Sequence, residues 1–290
     1  MPAAASTDAT AIREQQRDLW NGVARGWRRW SPAFERGAAT VTERLLELAG
    51  AAPGHRVLDV GTGTGEPALS AGRAVGPRGR VVGVDLSPAM VAAARAAATG
   101  TENVDFVVGA VETAVLPERS FDVALSRWGL MFAADRIELL RVVAGLLKPG
   151  AVLAAAVWTE PPRVPMISLA FRVISGHLEL GPPPPGPGPF TMSDPVAAAA
   201  ELEHAGFDAV EFHEHRVPFR LGSIDEFARF SRDVLPPGMR RVLEQRCGSV
   251  DDPDVWAAFR DAAREYETPD GAVSLTSDCL CIRAVTGGAA

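Results

Sequence analysis

Lysine is almost missing from this chain of 290 residues: of its 29 basic residues only Lys148 is a lysine. With so much alanine beside the arginines, this reads as a GC-rich base composition rather than a function. No basic block stands out beyond the short segment Arg25 to Arg29. The net charge is -7 at pH 7, and the pI is near 5.3. An acidic chain without a basic stripe is unsuited to a phosphate backbone, so nucleic acid is not an expected partner. Cysteine is equally scarce. Cys247, Cys279 and Cys281 form no CxxC pair, and an odd count argues for reduced thiols in a cytoplasm. Cys279 and Cys281 would share one strand face, with buried packing on one reading and metal or redox work on the other. No apolar run reaches membrane-spanning length. Met1 to Thr10 is small and polar with no apolar core, which reads as a disordered tail rather than a signal peptide. The expected setting is cytoplasmic, with no membrane and no metal cluster.

What the chain does have is length and rhythm. Its size suits one large domain, or one domain with a cap, around a real core. The organising stretch runs from Arg56 to Ala68. A short apolar run, Val57 to Val60, reads as a buried strand. Gly61, Gly63 and Gly65 follow, and then a helical pattern from Glu66 to Val75. Glycine lets the backbone turn with positive φ and lets a ligand approach closely. A helix start adds unpaired N–H groups and the positive end of its dipole. The dinucleotide fingerprint Gly-x-Gly-x-x-Gly would need its third glycine at Glu66. Here the glycines are spaced Gly-x-Gly-x-Gly, with Asp59 two residues ahead.

Strands and helices alternate from there. Arg80 to Val84 is strand 2, ending at Asp85. Ser87-Pro88 is a helix start, serine at the N-cap and proline at the first helical position. Strands follow at Val104 to Val108, Phe121 to Ser126 and Ala151 to Val157, with a helix from Arg136 to Leu147. This alternation predicts a parallel sheet covered on both faces, with the ligand crevice at the carboxyl ends of the strands.

Outside this block the pattern changes. Trp20, Trp27, Trp30 and Phe34 gather among glycines and Pro32, and read either as a surface helix pinned on the core or as a pocket wall. Thr40 to Leu48 is a separate helix. Residues 181–189 hold six prolines and must be extended. A helix from Pro195 to Ala205 and strand 6 from Ala209 to Phe219 come next. Ser223 to Tyr266 is helical with breaks at Pro236-Pro237 and around Asp251 to Pro253. The last strand is Val273 to Val285.

The glycine turn, Asp85 and strand 4 together resemble the class I S-adenosylmethionine-dependent methyltransferases of the small-molecule, ubiquinone/menaquinone-biosynthesis-like group. The resemblance covers about Leu45 to Val157 firmly and the last strand more loosely. It implies an α/β, Rossmann-like seven-stranded sheet with strand 7 antiparallel and helices on both faces. Thr159 to Met192, Leu221 to Asp270 and the Trp27 to Phe34 cluster meet at the carboxyl edge, which predicts a helical lid from insertions. The chain then divides into 1–39, an N-terminal tail and lid segment, and 40–158, the cofactor-binding core. Residues 159–192 are a Pro-rich insertion and 193–219 a core helix and strand 6. Residues 220–271 are a helical lid, and 272–290 the last strand and tail.

The resemblance implies S-adenosyl-L-methionine as cofactor, held around Asp59, Gly61, Thr62, Gly63 and Gly65. Asp85 would take both ribose hydroxyls, a role NAD enzymes share. Leu86 and Met90 would pack on the adenine, although Met90 equally suits plain helix core. The family's Gly-Asp-Ala-Glu segment reads Gly109-Ala110-Val111-Glu112 here. The aspartate that meets the adenine amino group is thus Ala110, leaving backbone at Ala110 and Val111 to bracket the ring. Glu112 is a ligand or a helix-start charge. In strand 4, Ser126 would lie beside the methionine part, and Arg127, Trp128 and Met131 towards the acceptor, with Trp27 and Trp30 walling it. His215 is a candidate base, with His213 and His177 as alternatives. Expected partners are a small-molecule acceptor and, at most, a second copy, as monomer or homodimer. The implied reaction is methyl transfer to O, N or C of a small, largely apolar metabolite (quinone-, polyketide- or aromatic-like). A non-methylating cofactor-binding protein or cyclase on the same scaffold is the alternative, and an NAD(P)-dependent oxidoreductase the more distant one.

Overall fold

The computed structural model describes residues 3–183 and 185–287. Seven strands form one sheet in the order β3-β2-β1-β4-β5-β7-β6. The first five are β1 (Arg56–Val60), β2 (Arg80–Asp85), β3 (Val104–Val108), β4 (Phe121–Arg127) and β5 (Leu147–Trp158). They pair in parallel. The order reverses at β1/β4, so the crevice opens at the carboxyl ends of those two strands. The last strand, β7 (Val273–Thr286), runs antiparallel between β5 and the outermost strand, β6 (Phe207–Leu221). Cys279 and Cys281 are fully buried on β7.

Crossover helices cover the faces: α2 (Ala68–Val75), α3 (Pro88–Ala97) and α4 (Arg136–Leu146). Their starts follow ordinary capping chemistry. Ser87 accepts from the Met90 amide and Asp135 from the Glu138 amide. The helix after the glycine turn begins at Ala68, not Glu66, because the Gly65 amide first closes a turn on the Thr62 carbonyl at 3.0 Å.

The largest departure from expectation is the N-terminal helix. A single helix, α1 (Ala3–Ala49), spans 47 residues. The expected tail from Ala3 to Thr10 lies within it, while Met1 and Pro2 lie outside the described residues. Pro32 does not break the helix: it sits on the exposed face, as does Arg28, whose carbonyl loses its partner there. The glycines do not break it either. A Cβ at Gly26 would lie 2.2 Å from the Asp233 carbonyl oxygen, and one at Gly37 would lie 2.3 Å from that of Pro218. They are docking points where other backbone meets α1.

The remaining helices are α5 (Pro165–His177), α6 (Pro195–His204), α7 (Ile224–Asp233), α8 (Pro237–Cys247) and α9 (Pro253–Ala263). The Trp30 indole N–H donates to Asp233 at 2.8 Å, and its ring meets Phe230 edge-on. Trp30 therefore pins α7 to the outside of α1. α7 and α8 pack on α1, and α9 packs on α5 and α7. None of residues 221–270 lines the cavity described next.

Candidate active site

A cavity of about 210 Å³ opens at the carboxyl ends of β1, β2, β3 and β4. One wall is the glycine turn, with Gly61, Thr62, Gly63 and Thr64. Gly63 has φ near +56°, and a Cβ there would meet nothing within 4 Å, so the backbone presents itself directly to the cavity. The Gly63 amide donates to Asp85 at 2.9 Å, and the Ser87 amide donates to its other oxygen at 2.9 Å. Burial pushes the Asp85 carboxyl up, and these two amide hydrogen bonds oppose that rise. Leu86, Met90, Ala110, Val111 and Glu112 continue this wall.

Several expected cofactor residues lie just behind it instead. Asp59 is fully buried, and its carboxylate accepts from the Ala68 amide at 3.2 Å, capping the first turn of α2. Burial raises its pKa to about 7, with Thr62 and Arg127 pulling the other way. Ser126 is fully buried and donates to the Val60 carbonyl at 2.8 Å, locking β4 to the end of β1. Gly65 packs on Leu69 and Ala94. These three shape the turn without facing the cavity.

The opposite end is aromatic. Trp128 stacks on Trp158 with centroids 4.3 Å apart and planes 9° apart. Phe34 meets Trp128 edge-on at 5.2 Å, and Trp27 meets Phe34 edge-on at 5.0 Å. Trp128 adopts φ near +60°, a costly conformation for a bulky residue. Its indole N–H is buried without a hydrogen-bond partner among the described residues. Beside it lies Arg127, whose side chain is 4% exposed. Its guanidinium holds both oxygens of Glu35, donates to Thr42 at 2.8 Å and lies 5.3 Å from the Trp128 ring centre. A buried guanidinium needs this pairing. Met131 completes the floor, and Ile167 is the contribution of α5.

The histidine expectation fails on topology. β6 is the sheet's outer strand, separated from β4 by β5 and β7. His215 therefore points to α1, with Nε2 3.0 Å from Thr40 Oγ1. Burial and Arg44 lower its pKa. His213 lies beside Glu211 at 3.4 Å, and His177 is exposed at the end of α5. None of the three lines the cavity, nor does Trp30.

Conversely, α1 contributes more than expected. Arg13, Gln16, Trp20, Trp27, Ser31, Phe34 and Glu35 all line the cavity. Their spacing of three, four or seven residues is one helical stripe. That signal was present in the sequence, hidden by glycines and a proline that read as interruptions. Among the described residues no group of His, Cys, Asp and Glu could hold a metal ion, and no helix is long and apolar enough to cross a membrane.

Comparison with known proteins agrees with this geometry. Residues 58–155 match the methyltransferase domain family. Over 113 residues the chain is 35% identical to aklanonic acid methyltransferase DauC of Streptomyces sp. (strain C5), covering 38% of this chain and 51% of that one. Over 169 residues it is 30% identical to the ubiquinone/menaquinone biosynthesis C-methyltransferase UbiE of Pseudomonas entomophila (strain L48), covering 55% and 60%. The matches thus span half to three fifths of these curated relatives. Among solved structures, the [4+2]-cyclase SpnF shares the fold, with a TM-score of 0.54 and 18% identity over 93% of this chain and 98% of that one. Residues 58–155, which carry the glycine turn and run from β1 into β5, are a methyltransferase domain within a Rossmann-like sheet.

Proposed function

We propose that the protein transfers a methyl group from S-adenosylmethionine to an oxygen, nitrogen or carbon atom of a small, largely apolar metabolite of quinone-, polyketide- or aromatic-like character. The observation that carries this reading is one continuous cavity with a backbone-built polar end and an aromatic end. The residues fit the cofactor. Space lies open over Gly63, and Asp85 faces the cavity with its carboxylate already oriented by two amides. Bound there, S-adenosylmethionine supplies an electrophilic methyl group.

The chain's own part is alignment and exclusion of water. Asp85 takes the ribose hydroxyls, while Leu86, Met90 and Val111 pack against the base. Trp128 and Trp158 give a flat acceptor a stacking face. The free Trp128 N–H orients an acceptor oxygen, and α1 closes the chamber. No proton is routed through His215, which lies elsewhere. One relative is named for aklanonic acid and another for ubiquinone/menaquinone biosynthesis, and these names support an oxygenated aromatic or quinone-like acceptor.

One observation favours a second reading. Among the described residues no histidine lines the cavity, and Glu35, a carboxylate at its aromatic end, is held by Arg127. A cyclase, or a binder that keeps the cofactor intact, needs no base. Mass spectrometry of reactions with a panel of phenols and quinols separates the two. The transferase reading expects one added methyl per turnover with equimolar S-adenosylhomocysteine. A product of unchanged mass with cofactor unspent sinks that reading.

A further inference from the structure

The lining stripe of α1 runs the length of the cavity, from Arg13 beside Glu112 to Glu35 beside Arg127. The charged groups at its ends are engaged. Arg13 bonds Glu112 at 3.3 Å and also Glu138, and Glu35 holds Arg127. Gln16 differs. It is 7% exposed and lines the cavity, and its Oε1 is shut off from solvent without a hydrogen-bond partner among the described residues. A buried amide oxygen left unpaired keeps its full desolvation cost. A donor that arrives with a ligand removes that cost.

Its position says which donor. Gln16 lies one turn from Arg13, which is tied to Glu112 after β3. It is also about one turn from Trp20, whose ring meets Phe132 edge-on at 4.8 Å. It therefore overlooks the β3 end of the cleft. There Gly109, Ala110 and Val111 offer no polar side-chain atom, and Glu112 has its Oε1 engaged by Arg13. Asp85, the ribose acceptor, ends the neighbouring strand β2, and the base of an adenosyl group extends from it towards β3.

We infer that the Gln16 side-chain oxygen accepts a hydrogen bond from the 6-amino group of the cofactor's adenine. The N-terminal helix then reads the base as well as covering the acceptor. This inference rests on the cofactor reading above.

Isothermal titration of the full chain tests it with S-adenosylhomocysteine and the analogue lacking the 6-amino group. The wild type is expected to prefer the amino-bearing ligand about five- to tenfold. Gln16→Leu is expected to bring the two affinities within about twofold by weakening only the amino-bearing ligand. Gln16→Glu, which keeps an acceptor, is expected to preserve the preference. A Gln16 that merely packed α1 would lower both affinities together, so an unchanged ratio in Gln16→Leu overturns this inference alone. A wild type that binds neither ligand overturns the cofactor reading and this inference with it.

Discussion

At one end of the cavity, the backbone amides and short side chains of Gly61 to Thr64 meet the ligand space, with Asp85 from the end of β2 beside them. At the other, Trp27, Phe34, Trp128 and Trp158 do so, brought from α1, the residue after β4, and β5. The first end depends on positive φ and on amides fixed by local sequence. The second depends on a long-range pair, Arg127 with Glu35, joining residues 92 apart. The glycine turn is thus encoded in a few consecutive residues, whereas the aromatic end is assembled from distant parts of the chain.

The comparison breaks most visibly at Glu35. Glu35→Gln leaves the Arg127 guanidinium uncompensated, and the expected loss is about 3 kcal/mol of stability, or roughly 5–10 °C in Tm. Replacing both Glu35 and Arg127 with Met should recover most of it. Thermal unfolding gives the first number and titration with S-adenosylhomocysteine the second. If the single variant also loses cofactor affinity beyond about twofold, the two ends are not separable.

Gly63→Ala probes the other end. The expected cost is about 30-fold in S-adenosylhomocysteine affinity, roughly 2 kcal/mol, because the methyl enters ligand space rather than protein. Stability should fall by only about 1 kcal/mol from the left-handed backbone. A large Tm change with unaltered affinity would contradict the placement of this turn.

Asp59 sits behind the glycine turn yet feels Arg127, so it sharpens the boundary between the ends. Its folded pKa of about 7 lies above the ordinary 3.8. Between those values the folded state holds more protons than the unfolded one, so this group's contribution to stability falls as pH rises from about 4 to 7 and is flat above. Asp59→Asn keeps an acceptor for the Ala68 amide and removes the charge. It should gain on the order of 1 kcal/mol at pH 8 and nothing at pH 4 in urea unfolding. An equal effect at both pH values would mean the carboxylate is not destabilised by burial.

The parallel block was legible because its signals are local. Apolar runs marked β1 to β5, Ser87-Pro88 marked the start of α3, and Pro236-Pro237 marked the break between α7 and α8. The roles of Asp59 and Ser126 were only half legible. Both stand next to cavity-lining residues in sequence, but which side of the turn they face depends on strand pairing and burial. α1 was illegible for a different reason. Gly22, Gly26 and Gly37 signal a turn only while nothing is known of what lies against them. The backbone beside Gly26 and Gly37 comes from Asp233 and Pro218, about 200 and 180 residues later.

Those glycines also divide the labour on α1. At 3.6 residues per turn, Gly22, Gly26 and Gly37 fall on a stripe roughly a third of a turn from the one that lines the cavity. One stripe sets where the helix seats, and the other sets what it faces. Ser31 is therefore the place to recut the chamber for a different acceptor, because Trp27 packs on Phe230 of α7 and Glu35 holds Arg127, so those two also seat the helix.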